Sequence, residues 1–263
     1  MSSFTSRIMK NILLLITLAS IAIPARCQDD VNIQMVFVKG GNFFMGCDDK
    51  HFLGEEFDNE RPVHRVNVSS YYIGKYEVTL GQWRAVMGIK PPAYDGVDYG
   101  NKDCDNCPVV KVSWEDVQEF IAKLNDKTGK HYRLPTETEW EYAARGGKYS
   151  SKFQFSGSDK LTEVGWFGHP KSTTHPVGQK LPNELSIYDM SGNAMEWCSD
   201  WYDEEYYKTA VDKIDPKGPE TGTMHVLRGG SYYDDDKVCR TTYRSRFEAS
   251  KRQWNVGFRL AMD

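Results

Sequence analysis

The chain of 263 residues carries a net charge of −4 and no basic stripe, which argues against nucleic acid as a partner. Hydrophobic residues make up 40% of it and aromatics 13%, so a sizeable core can be buried. Past the first thirty residues no stretch is apolar for the roughly 20 residues that a bilayer crossing needs.

The N-terminus reads as an export signal. Arg7 and Lys10 supply the positive start, Asn11 to Ile23 is mostly apolar, and Pro24-Ala25-Arg26-Cys27 leads abruptly into Gln28-Asp29-Asp30. Cleavage after Ala25 and cleavage after Cys27 both remain open. The rival reading makes Cys27 a lipidated N-terminus, which the acidic pair suits but Arg26 and Pro24 do not. The expectation is therefore a signal peptide over 1–27 and one domain over 28–263. The product is secreted, periplasmic or at the cell surface, with a membrane anchor only if Cys27 carries lipid. The remaining chain of about 235 residues can form one large domain or two small ones, and no linker or charge block divides it.

Val36-Phe37-Val38 and Phe43-Phe44-Met45 flank Lys39-Gly40-Gly41-Asn42, a pattern that predicts a hairpin. Val66, Val68, Tyr72 and Ile73 lie in a second extended stretch. Three helices then announce themselves by their caps. Thr79 with Gln82 opens the first, whose Trp83, Val86 and Met87 form an apolar face and which Gly88 stops. Ser113 with Asp116 opens the second, with Val117, Phe120, Ile121 and Leu124 at helical spacing and an end near Gly129. Thr136 with Glu139 opens the third, with Trp140, Ala143 and Ala144 inward and Gly146-Gly147 as its stop. Beyond residue 147 segments are short and rich in Gly, Pro, Asp and Asn, with strand-like pieces at Met224–Leu227 and Val256–Ala261. Few helices, short strands and much ordered loop make an α+β outline.

The cysteines are Cys27, Cys47, Cys104, Cys107, Cys198 and Cys239. In an exported chain they are free to pair. Cys104-Asp-Asn-Cys107 reads as a local structural staple. A metal or redox reading lacks a second C-x-x-C, a His pair at ligand spacing or a thioredoxin-like surrounding.

The ordered set of local motifs carries more than any one of them. Glu60-Arg61-Pro62-Val63-His64 precedes Tyr72-Ile73-Gly74-Lys75-Tyr76-Glu77-Val78-Thr79 and then Val112-Ser113-Trp114. Tyr132-Arg133-Leu134-Pro135-Thr136-Glu137-Thr138-Glu139-Trp140-Glu141-Tyr142-Ala143-Ala144-Arg145-Gly146 follows, and then Asp189-Met190-Ser191-Gly192-Asn193-Ala194-Met195-Glu196-Trp197. Arg228-Gly229-Gly230-Ser231 and Gly257-Phe258-Arg259 close the series. In this order, over residues 35 to 262, the set resembles the formylglycine-generating enzyme family, the sulfatase-modifying factors. The resemblance implies a fold related to C-type lectin-like domains.

It also implies a chemistry to be checked residue by residue. Members of that family oxidise a sulfatase cysteine to formylglycine with oxygen and a copper ion held by two cysteines, three and eight residues after the serine of Gly-Gly-Ser. Here the serine is Ser231; Cys239 matches the eighth position and Asp234 replaces the third. A cuprous ion prefers two soft thiolates, so copper is not expected. The resemblance further implies calcium in the loop from Asp189 to Glu196. Those two would give side chains, and Met190, Gly192 and Ala194 would give carbonyls. Ca²⁺ takes six to eight hard oxygens; the plainer reading is a turn whose carboxylates cap neighbouring N–H groups. Met195 departs from the family's usual Trp, and a second calcium site near Glu163-Val164-Gly165-Trp166 lacks its Asn and Asp. Cys198 and Cys239 flank the calcium loop and the Gly-Gly-Ser segment, which the shared fold brings together, and a disulfide between them is expected.

Two functions follow. One is a calcium-stabilised binding or assembly protein that offers Tyr and Trp to a peptide, glycan or partner protein. The other is an oxygen-dependent protein-modifying oxidase that uses Cys239, with Ser231 and Asp234 lining its pocket.

Overall fold

The structure, a computed structural model, describes residues 31–48, 55–91, 103–168 and 173–263. The export signal and Cys27 lie outside them. In chain order the elements are β1 (Met35–Val38), β2 (Gly41–Met45), β3 (His64–Val68), β4 (Tyr71–Gly74), α1 (Leu80–Met87), α2 (Trp114–Thr128), α3 (Glu137–Ala144), α4 (Leu161–Val164), β5 (Met195–Trp201), α5 (Tyr206–Thr209), β6 (Met224–Arg228), β7 (Ser245–Glu248), β8 (Val256–Gly257) and β9 (Ala261–Met262). The α+β class is the observed one, with long ordered loops between short strands.

The three long helices start where their caps place them. At α1 the Thr79 hydroxyl accepts from the Gln82 N–H while the Gln82 amide oxygen accepts from the Thr79 N–H. Ser113 with Asp116 and Thr136 with Glu139 repeat this exchange at α2 and α3. Such a cap contributes about 1 kcal/mol. Gly88 and Gly129 end α1 and α2 in the left-handed conformation, which costs glycine no side-chain clash.

The predicted hairpin does not form. β1 pairs antiparallel with β4 in a sheet ordered β1-β4-β9, while β2 pairs with β3 in a separate two-stranded sheet. The chain changes sheet at Gly40, which lies against the backbone joining β3 to β4. A Cβ there would stand 2.4 Å from the Val68 carbonyl oxygen. Instead of making a two-strand turn, Gly40 thus serves close backbone approach and Gly41 makes room for the Tyr142 hydroxyl. A four-stranded sheet ordered β7-β6-β5-β8, with β5 and β8 parallel, forms the centre.

One core cluster joins α1 and α2 to this sheet. Trp83 stacks on Phe120 at 5.3 Å, and Phe258 meets Phe120 edge-on at 5.3 Å. A second gathers β1, β4 and α3 around Trp140 and Tyr142. α3 is buried nearly all round, including Glu137 and Glu141, where the sequence pattern marked only an apolar face. Arginines answer these carboxylates. Arg244 chelates Glu137 at 2.7 and 2.8 Å, Arg228 pairs with Glu141, and Arg240 chelates Glu60 at 2.6 and 2.8 Å. A buried charge stays in a fold only when it is paired in this way.

Candidate functional site

After β6, Gly229 and Gly230 turn the chain with φ of +94° and +67°. A Cβ on Gly230 would come within 2.7 Å of the Cys239 sulfur, so the turn is packed directly on that thiol. Ser231, Asp234 and Cys239, which the sequence marks as a set, do come together here. The Ser231 hydroxyl donates to Asp234 Oδ2 at 2.6 Å and accepts from Asn255 Nδ2 at 2.9 Å, and the Cys239 sulfur lies 3.9 Å from the Ser231 carbonyl oxygen. Cys239 is wholly buried in a small cluster with Phe155, Leu161 and Val164. Burial, and then the charges of Asp234, Asp235 and Asp236, push its thiol well above the ordinary range. Burial likewise raises Asp234, against the lowering effect of its bonds to Ser231.

These donors do not fit a cuprous ion. One soft ligand, Cys239, is present, and burial disfavours its thiolate form. The group in the partner position is a hard carboxylate already bonded to Ser231. Above the turn, Trp254 meets Tyr233 edge-on at 4.7 Å and Tyr232 at 5.7 Å, and Tyr233 is 47% exposed. Asn255 and Trp254 escaped the sequence reading. Their only signal is that they immediately precede Val256-Gly257-Phe258-Arg259.

The Asp189–Glu196 loop lies against this turn. Gly192 N–H donates to the Gly229 carbonyl at 2.8 Å and Tyr232 N–H to the Asn193 carbonyl at 2.9 Å. Gly192 (φ +87°) presses on Trp166, whose carbonyl oxygen would be 2.2 Å from a Cβ there, so only glycine fits. Trp166 stacks on His175 at 3.7 Å, and the Asp234 carbonyl accepts from Gly168 N–H at 2.8 Å, tying the same segment to the thiol turn.

Inside the loop, Asp189 Oδ2 accepts from Gly178 N–H at 2.7 Å, while Asp189 Oδ1 is buried without a hydrogen-bond partner. Glu196 takes both Arg259 Nε and Nη2 at 2.6 Å and Trp140 Nε1 at 2.7 Å. Glu77, a third buried carboxylate that the sequence reading passed over, accepts from Asn193 Nδ2 at 2.7 Å and Ala194 N–H at 2.9 Å. Burial and then the neighbouring carboxylates Asp189 and Glu196 raise Glu77 well above its usual range, and burial pushes Asp189 up to about 6. The group holds more negative charge than Arg259 alone can answer, and its free acceptor is a hard oxygen. That donor chemistry fits calcium. Asp189 Oδ1, the lone pair that Arg259 and Trp140 leave on Glu196, and the carbonyls of Met190, Gly192 and Ala194 would hold the ion. Among the described residues no three His, Cys, Asp or Glu side chains converge as a metal site, so main-chain carbonyls would have to complete the shell.

The expected Cys198–Cys239 disulfide is not there. Cys198 is a buried free thiol on β5, in the cluster with Trp140 and Tyr142, whereas Cys239 lies in the separate cluster with Phe155. Each sulfur is covered by its own apolar neighbours, so the two loops meet without their thiols meeting. Cys104 and Cys107 are bonded to each other. Their turn caps α1, the Cys107 and Asp105 carbonyls accepting from Leu80 and Gly81 N–H at 2.9 Å.

Residues 22–263 match the model for the sulfatase-modifying factor enzyme 1-like domain, and the chain belongs to that family. It is 30% identical to a formylglycine-generating enzyme of Thermomonospora curvata, over 92% of this chain and 97% of that one. It is 28% identical to a protein of Paenibacillus barcinonensis named chaperone protein LppX, over 96% and 99%. Among solved structures, Treponema denticola variable protein 1 superposes with a TM-score of 0.76 at 29% identity, covering 88% of this chain and 95% of that one.

Proposed function

We propose that this chain is an exported binding or assembly member of the family, stabilised by calcium, that does not make formylglycine. The observation that carries the reading is the state of Cys239. It is a buried thiol that burial pushes well above its ordinary range, and Asp234, bonded to Ser231, stands where a second thiolate would be required. A thiol that is not ionised is a poor nucleophile and a poor metal ligand. The aromatic rim of Tyr233 and Trp254 offers large, stiff side chains to a peptide or protein surface. The similarity to a protein named a chaperone favours the same reading.

Calcium bound between Asp189 and Glu196 would supply positive charge and fix the loop against the Gly-Gly-Ser turn, with no part in any reaction. The test is an oxygen-supplied assay of the copper-treated protein on a sulfatase peptide that contains the target cysteine, read by mass spectrometry. We expect no conversion above a Cys239→Ser control. Turnover well above that control would restore the alternative, an oxidase acting through Cys239, for which the similarity to formylglycine-generating enzymes speaks.

A further inference from the structure

Beside the N-termini of α2 and α3 lies a cavity of about 330 Å³ that shares no lining residue with the thiol turn or the calcium loop. Its volume falls at the lower end of small-molecule sites, roughly 300–1,000 Å³. Trp114 forms one wall. His225 stacks on this indole at 4.0 Å and 4°, Trp201 stacks on His225 at 3.8 Å, and Trp114 Nε1 donates to the Cys198 carbonyl at 3.1 Å. The indole is therefore fixed before any ligand arrives, with His225 against one face and the cavity beside it.

The charged groups of the lining are largely answered from within. Arg133 bonds Glu139 at 2.7 Å and Asp263 at 2.6 Å, and Asp215 accepts from the Ser69 N–H and hydroxyl at 2.6 and 2.7 Å. The side chains of Gln118 and Lys217 also line the cavity and make no hydrogen bond among the described residues, the Lys217 charge acting on Asp263. Such a lining makes little demand for a charged ligand. It offers one rigid aromatic wall together with convergent donors and acceptors, the combination that fixes a small polar molecule in one orientation.

We propose that this cavity binds a neutral sugar, as a mono- or disaccharide or the end of a glycan. The pyranose C–H face carries slight positive charge and suits the negative face of the indole. Its hydroxyls exchange water for Gln118 and Lys217. This inference is independent of the function proposed for the Cys239 turn.

Saturation-transfer-difference NMR of the full chain, with a panel of neutral mono- and disaccharides of glucose, galactose, mannose and N-acetylglucosamine, tests it. We expect a saturable signal from at least one sugar, insensitive to salt and weakened about tenfold or more by Trp114→Ala. That variant removes part of the packing and can unfold the domain. Gln118→Ala and Lys217→Ala, changes at partly or fully exposed positions, should keep the fold and weaken the same signal. The proposal is overturned if no neutral sugar gives a signal, if binding ignores both of these substitutions, or if only acidic sugars bind and salt abolishes it.

Discussion

Two groups of buried carboxylates lie in this domain, and they differ in what neutralises them. Around α3, Glu137, Glu141 and Glu60 each face a guanidinium, from Arg244, Arg228 and Arg240 respectively. At the Asp189–Glu196 loop, Asp189, Glu196 and the Glu77 that packs against them share Arg259. The first group is balanced and its side-chain oxygens are occupied by the fold itself. The second keeps an orphaned oxygen on Asp189 and two carboxyls raised above their usual range. A balanced buried network gives a fold its shape. An unbalanced one leaves room for a ligand of the missing charge.

The largest effect should come from breaking a balanced pair. Arg244→Met leaves Glu137 buried with Arg228 as its remaining cation, 3.6 Å away, and should cost about 3–5 kcal/mol in denaturant unfolding. Glu137→Leu combined with Arg244→Met should recover much of this. If the single substitution is tolerated, the network is not what holds α3.

The unbalanced group should respond to calcium instead. A ligand that binds only the native state stabilises by about 2.7 kcal/mol at a hundredfold excess over Kd, so chelation should lower the Tm of wild type and leave Asp189→Ala unmoved. Equal wild-type melting curves in calcium and in chelator would remove the ion from the account.

A smaller and pH-dependent effect belongs to Asp200, which lies beside Glu137 and blurs the contrast. Burial, and then the Glu137 charge, raise it to about 7, although Glu137 N–H and the Ser199 hydroxyl donate to it. The native state thus binds a proton that the unfolded chain releases near pH 4. Stability from this group is present at low pH and declines as pH rises from about 4 through about 7. Asp200→Asn should flatten that decline, seen as a smaller Tm difference between pH 5 and 7.5 than in wild type; parallel curves would exclude it.

The least costly comparison is chemical. Iodoacetamide should leave Cys198 and Cys239 unmodified in the native protein and label both on unfolding without a reductant, while Cys104 and Cys107 label only after reduction. Rapid native labelling of Cys239 would mean that its burial is not maintained in solution.

Much of this was legible in the residues alone, and the reason is locality. A capping box spans four residues and a C-x-x-C turn closes on itself, so α1, α2, α3 and the Cys104–Cys107 bond need no distant partner. The ordered motifs likewise located Ser231, Asp234 and Cys239, because all three belong to one short turn. What failed was pairing at a distance. Lys39–Asn42 has the composition of a hairpin turn, but β1 finds β4 and β2 finds β3, since Gly40 must lie flat on the Val68–Ser70 backbone. β5 was missed because it is covered on both faces and lacks the alternation that marks a half-exposed strand.

The sequence by itself determined where helices begin, which family motifs are present and that a carboxylate stands where a thiolate would be required. Tertiary structure alone decided the partners. It set Glu77 beside Asp189, Asn255 on Ser231 and arginines from the C-terminal third on the carboxylates of α3, and it kept the Cys198 and Cys239 sulfurs in separate clusters. Burial is what gives these encounters their weight. A charge or a thiol removed from water must be answered by whatever group the fold brings to it, and that group can stand more than a hundred residues away along the chain, as Arg244 does from Glu137.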